Sequence, residues 1–190
     1  MSPAARSRTR AARSGFAARA RRVKLLLFDV DGVLTDGRVY LQSWPDGTAQ
    51  ELKAFHSQDG AGLKLAREAG LRTGLITGRD SAATTRRARE VGMDFVSQKQ
   101  PIKIPAYEEI LREAKLSDAE VAYMGDDLPD LPLLRRAGLA MAVANAVPEV
   151  KRVAHFVTRR RGGEGAVREA IEAILRARGV WEKVKEKARA

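Results

Sequence analysis

The residues able to do chemistry in this 190-residue chain are carboxylates, hydroxyls, lysines and arginines, and they gather in four short stretches. Asp29-Val30-Asp31-Gly32-Val33-Leu34-Thr35-Asp36-Gly37 holds two aspartates two positions apart. Thr77-Gly78-Arg79-Asp80 sets a hydroxyl beside an arginine, and Gly125-Asp126-Asp127-Leu128-Pro129-Asp130 adds three carboxylates. Lys103 precedes a helix-like stretch, with Lys99 as the alternative. Clustered aspartates repel one another unless a hard cation lies among them, and Mg²⁺ takes oxygen ligands while keeping several waters. Asp29 and Asp126, with a backbone carbonyl at Asp31, are the candidate metal ligands. With the phosphate charge offset, one aspartate could attack phosphorus and form an acyl phosphate. Its neighbour two residues on could protonate the leaving alkoxide and later activate water. The period of a strand puts Asp29 and Asp31 on the same side. Thr77 and the amides opening the next helix suit phosphate oxygens, and Lys103 supplies a positive charge where negative charge develops.

These stretches are ordered by the elements around them. Val23 to Val30 reads as a buried strand, as do Leu71 to Ile76, Met93 to Val96, Val121 to Met124 and Leu139 to Val143. Each is short and apolar. Helical spacing falls between them, over Asp59–Ala69, Asp80–Val91, Ile104–Ala114, Leu131–Ala137, Val147–Val153 and Arg168–Arg178. His155 to Thr158 could add an edge strand. Trp44-Pro45-Asp46-Gly47 predicts a hairpin turn between Arg38–Leu41 and Gln50–Phe55. Alternating strands and helices predict an α/β fold with a doubly wound parallel sheet. In such sheets ligands sit at the carboxyl ends of the strands. Three of the four chemical stretches follow predicted strands directly, and Lys103 follows a short loop after another.

The absence of cysteine excludes disulfides, thiolate metal sites and cysteine nucleophiles, and two histidines, His56 and His155, are too few for a multi-histidine zinc centre. No apolar run reaches the roughly 20 residues of a membrane span, so a cytoplasmic, soluble protein with no membrane partner is expected. The net charge is +11, but residues 1–24 carry +8 of it and no acid. Residues 1–22 read as a basic disordered tail, 23–178 as one domain and 179–190 as a charged C-terminal tail. The N-terminal composition is also that of a transit peptide. A nucleic-acid arm would need stacking aromatics or a motif that is lacking here, so nucleic acid is not an expected partner.

The motifs DVDGVLTDG, ITGR, a later lysine and GDDLPD, in that order, resemble those of the haloacid dehalogenase superfamily. The resemblance implies a Rossmann-like core in which Asp29 is the nucleophile, Asp31 the general acid/base, Thr77 and Lys103 the phosphate-binding pair, and Asp29, Asp31 and Asp126 the Mg²⁺ ligands, with Asp127 and Asp130 in support. Only the hairpin at 37–55 lies where relatives carry a cap, so a core with a projecting β-hairpin and no separate cap domain is expected. From residue 24 to about 176 the chain is similar to one cap-free branch, the 3-deoxy-D-manno-octulosonate 8-phosphate (KDO 8-phosphate) phosphatase family. The stretches that carry this are DVDGVLTDGRVY, ELKAF, LITGRDS, YMGDDLPDLPLL, AVANAVPEV and VTRRRGGEGAVRE. It implies a homotetramer and a small phosphosugar acid as substrate, bound by Asp31, His56, Ser57, Gln58, Asp59, Gly60, Lys64, Arg79, Arg87 and Lys103. Gln58 departs from the arginine many relatives carry there and brings no charge.

Two structural questions stay open at this level. The hairpin side chains Val39, Leu41, Trp44 and Leu52 could pack on their own core or form an assembly surface. Gly162-Gly163-Glu164-Gly165 could be a phosphate nest or a flexible loop. The competing activities are hydrolysis of a nonulosonate 9-phosphate, phosphoryl transfer to a sugar acceptor, and binding without turnover.

Overall fold

In a computed structural model describing residues 15–188, six apolar runs form a single parallel sheet. The strands are β1 (Leu25–Phe28), β4 (Arg72–Ile76), β5 (Phe95–Ser97), β6 (Val121–Gly125), β7 (Leu139–Ala142) and β8 (Phe156–Val157). Their order is β5-β4-β1-β6-β7-β8, with β1 central and paired Leu25 to Arg72 on one side and Leu25 to Val121 on the other. Every residue of β1, β6 and β7 is buried. A sheet covered on both faces leaves no polar side to its inner strands, and each buried Leu contributes roughly 1.5–3 kcal/mol.

The covering helices are α2 (Ser57–Glu68), α3 (Ala82–Val91), α4 (Ile104–Ala114), α5 (Leu131–Arg136), α6 (Pro148–Val153) and α7 (Ala166–Ala177). In α4 the buried set is Ala106, Tyr107, Ile110, Leu111 and Ala114, the spacing of one helical face. Gly92 in a left-handed conformation ends α3. The doubly wound parallel sheet expected from the sequence is therefore present, with its strand and covering-helix boundaries displaced by at most two residues. Helix α2 starts at Ser57, two residues before its expected start, and the His56 ring caps it by accepting a hydrogen bond from the Gln58 amide.

Both expected tails need correction. Residues 15–22 form a helix, α1, rather than disordered chain. Ala20 is fully buried, the Phe16 ring lies 5.1 Å from that of Phe156, and Arg19 donates to the Gly138 carbonyl at 2.7 Å. The rest of that expected tail, residues 1–14, lies outside the described residues. At the other end, Trp181–Lys187 is a helix, α8, with Trp181 and Val184 buried. The Arg168 and Arg176 guanidinium groups lie over the indole at 5.6 and 4.7 Å. Among the described residues no helix is long and apolar enough to cross a membrane.

The hairpin pairs β2 (Tyr40–Ser43) with β3 (Ala49–Leu52) antiparallel, separate from the main sheet. Val39, Tyr40, Leu41, Trp44 and Leu52 are all exposed, Leu41 by 65%. They do not pack on this chain's core.

Candidate active site

The carboxyl ends of β1, β4 and β6 bring the chemical stretches together. The Asp29 side chain at the end of β1 is almost buried, and the Lys103 ammonium lies 2.8 Å from its Oδ1. Lys103 also reaches Asp130 Oδ1 at 2.7 Å. Asp130 is saturated: Oδ1 also accepts from the Tyr123 hydroxyl at 2.7 Å, and Oδ2 accepts from the Asp126 and Asp127 amides at 2.9 and 3.3 Å. It fixes the loop after β6 and the lysine in one contact set. Asp29, Asp126 and Asp130 each present a carboxylate oxygen within 4.8 Å of the others. Because Asp130 is committed to four donors, Asp29 and Asp126 are the two free to hold a cation. Thr77, buried at the end of β4, accepts from the Arg79 amide at 3.4 Å.

The electrostatics carry the same message. Burial, then the Asp130 charge, pushes Asp29 up to about 6 against the pull of Lys103. Burial, then Asp29, Asp130 and Asp127, pushes Asp126 up to about 8. Burial disfavours the charged Lys103, but Asp29 and Asp130 overcome it and raise its pKa. Two buried acids and a half-buried third against one cation are short of positive charge, and Asp126 Oδ1 is buried with no hydrogen-bond partner. A hard divalent cation on Asp29 and Asp126 answers both deficits, so the donor set fits Mg²⁺. The Asp31 carboxylate is not in this cluster, so only its backbone carbonyl remains for the ligand role expected of it. Gly32, at φ +89°, makes room here, since a Cβ on it would overlap the Asp126 carboxylate.

Asp31 turns instead to a rim of opposite character. It ion-pairs with Lys53, and Arg79 Nε lies 3.9 Å away. Glu51 binds both cations, Lys53 Nζ at 3.3 Å and Arg79 Nε at 3.1 Å. Neither Lys53 nor Glu51 was singled out from sequence. The available signal was their i, i+2 spacing at the end of a predicted hairpin strand, which sets them on one face.

The remaining expected substrate contacts divide. The His56 ring caps α2, and Ser57 is exposed beside it. Gln58 Oε1 accepts from Arg160 Nη1 at 2.6 Å, so a guanidinium stands against the neutral amide. Asp59 needs correction as a free substrate ligand: its oxygens accept from the Arg168 amide at 2.8 Å and the Gly165 amide at 3.3 Å, tying α2 to α7. Gly60 leaves room for Arg87, whose guanidinium reaches the His56 carbonyl at 3.5 Å and Glu90 at 3.4 Å. Lys64 stands exposed on α2, and Lys99, the alternative to Lys103, pairs with Asp80 at 2.8 Å outside the cluster. The Gly162–Gly165 segment is neither nest nor loose loop. The Gly162 amide donates to Asn145 Oδ1 at 2.7 Å and the Gly163 amide to the Val33 carbonyl at 3.1 Å, so these donors are already engaged.

An acid cluster at the strand ends of a parallel α/β sheet, with a buried lysine and threonine, defines a haloacid dehalogenase-like hydrolase. The profile of that family, described as haloacid dehalogenase-like hydrolase, matches residues 83–171. The chain is 41% identical over 159 residues to the 3-deoxy-D-manno-octulosonate 8-phosphate phosphatase KdsC of Yersinia pestis, covering 84% of this chain and 83% of that protein. A solved structure of a probable YrbI family phosphatase from Pseudomonas syringae pv. phaseolica superposes with a TM-score of 0.87 at 44% identity, covering 93% of this chain and 98% of that one. The 3-deoxy-D-manno-octulosonate 8-phosphate phosphatase of Moraxella catarrhalis, solved with magnesium, phosphate and KDO, gives 0.85 at 37% identity, covering 90% and 97%. The chain belongs to the 3-deoxy-D-manno-octulosonate 8-phosphate phosphatase family.

Proposed function

We propose that this protein is a Mg²⁺-dependent phosphoric monoester hydrolase that converts KDO 8-phosphate to KDO and phosphate. The observation that carries it is the pairing of Asp29 with Lys103 at 2.8 Å beside the unpartnered Asp126 oxygen. Similarity to phosphatases of this substrate over more than four-fifths of the chain supports it. Asp29 and Asp126, with the Asp31 carbonyl, would hold the cofactor, Mg²⁺, which would offset phosphate charge so that an anionic nucleophile can approach.

An Asp29 oxygen attacks phosphorus, the ester P–O bond breaks, and Asp31 gives its proton to the departing sugar oxygen. Water then attacks the aspartyl phosphate, Asp31 takes its proton, and Asp29 is restored. Lys103 and Thr77 hold the transferring phosphoryl oxygens. Arg79, at the rim, suits the substrate carboxylate or phosphate through its planar fork. His56, Ser57, Gln58, Gly60, Lys64 and Arg87 form the approach to the sugar.

The exposed apolar hairpin supports a homotetramer in which hairpins assemble between subunits and close sites that lack their own lids. A cytoplasmic role in supplying KDO for lipopolysaccharide follows from the substrate. The test is phosphate release from KDO 8-phosphate, a nonulosonate 9-phosphate and simple sugar phosphates, with and without EDTA. A marked kcat/KM preference for KDO 8-phosphate that disappears with chelator is expected. Preference for the nonulosonate would overturn the substrate assignment, and transfer to a sugar in place of water the hydrolase assignment.

A further inference from the structure

We infer that Lys53 is a positioning residue for the protonation step: it aims the Asp31 carboxyl at the ester oxygen of the departing group. The inference rests on the phosphatase reading above. Lys53 follows β3 at the root of the hairpin, and its side chain is 2% exposed. Its ammonium is bound between Asp31 Oδ1 and Glu51 Oε1. Glu51 also grips the Arg79 guanidinium through Nε and Nη2, and Arg79 faces the other Asp31 oxygen at 3.9 Å. Two cations and two carboxylates thus close a ring, and these cations are the partners the Asp31 side chain has among the described residues.

The turn that carries Asp31 does not fix the side chain by itself. Its backbone leaves helical angles at Asp31 (φ −75°, ψ 118°) and again at Gly32 (φ 89°). Asp130, by contrast, is locked by four donors. A buried ion pair contributes little net stability, because desolvation offsets its attraction. What Lys53 supplies is direction, delivered from the hairpin to the acid.

The chemistry gives this a signature. As the Asp29–phosphorus bond forms and the ester P–O bond breaks, the Asp31 proton passes to the released oxygen and leaves Asp31 a carboxylate. The need for that proton grows with the basicity of the oxygen, being slight for nitrophenolate and large for an alkoxide. A misdirected Asp31 therefore costs more on poor leaving groups, whereas general damage to the fold costs the same on all.

The experiment measures kcat/KM, which reports the transfer to Asp29, at saturating Mg²⁺ for full-length protein. The substrates are nitrophenyl, phenyl and simple alkyl phosphates, which carry no sugar or carboxylate. Lys53→Met is expected to lose about tenfold more on alkyl than on nitrophenyl phosphate, and Lys53→Arg to restore most of the difference. In an Asp31→Asn background, Lys53→Met should add no further leaving-group dependence. Should Lys53→Met fail to fold, Glu51→Gln carries the same test with a smaller change in the same direction. Equal losses across the series, or a dependence that persists without Asp31, would overturn the inference while leaving the phosphatase reading intact. Wild-type protein inert toward every phosphate in the series would instead bring down both.

Discussion

Asp29 and Asp31 are separated by one residue and live in opposite surroundings. Asp29 looks onto a buried floor where Asp126 and Asp130 crowd a single lysine. Asp31 looks onto a rim where Lys53 and Arg79 match its charge and that of Glu51. The floor is electrically incomplete and suits a hard cation. The rim is balanced by the protein's own side chains. In the proposed mechanism a single turn therefore separates the metal-bound nucleophile from a proton-exchanging group steered by its neighbours. Environment assigns the two roles, since the side chains are chemically identical.

The contrast can be broken from either side. The largest effect is expected for Asp29→Asn, which removes the attacking oxygen; turnover of KDO 8-phosphate should fall by at least about 10³-fold, measured as phosphate release. Asp31→Asn should cost about 10²–10⁴-fold in kcat, with the loss smaller for nitrophenyl phosphate. Asp130→Asn, which disturbs the support of Lys103 and the loop after β6, should weaken Mg²⁺ affinity by about 10–100-fold, read by titrating activity with metal.

A subtler test uses pH. Asp29 and Asp126 bind protons more tightly folded than unfolded, at about 6 and about 8 against 3.8. Stability from these raised groups is fully present below the unfolded value and is lost as pH rises through the folded values. Metal-free protein should therefore show a Tm that falls between about pH 4 and pH 8 and levels off above. Added Mg²⁺ should raise Tm most at the alkaline end; a flat profile without metal would contradict the incomplete floor. The smallest catalytic effect is expected far from both aspartates: Leu41→Asp on the hairpin should shift sizing-column mass toward smaller species. Activity should fall only in step with that dissociation.

How much of this was legible in the sequence depends on whether a residue's partners are local. The strands announced themselves because a doubly covered sheet requires unbroken apolar runs, and the rule that ligands sit at strand ends then picked out Asp29, Thr77 and Asp126. Lys103 was legible as the residue before α4. Lys53 and Glu51 were not, because their meaning lies in ion pairs to Asp31, 22 positions from Lys53, and to Arg79, 28 positions from Glu51, and nothing in a hairpin sequence says which way it leans. Asp59 looked like a site residue because it sits in the approach loop, yet its oxygens serve amides more than 100 positions later. Helix α1 was hidden by its arginines: composition suggested a tail, while Phe16 and Ala20 were enough to dock it. Helix α8 was hidden because Trp181 and Val184 are its only buried residues, too few to show a period.

Gly162 lies so close to the turn after β1 that a Cβ there would collide with the Gly32 carbonyl, and Gly32 is the residue whose bareness admits the Asp126 carboxylate. Two glycines 130 positions apart thus stand in series, backbone against backbone, like stacked shims under the acid. A single methyl at position 162 would be felt as a shove on the floor of the pocket with no charge altered anywhere, and would make a mild-looking alanine a mutation of the chemistry.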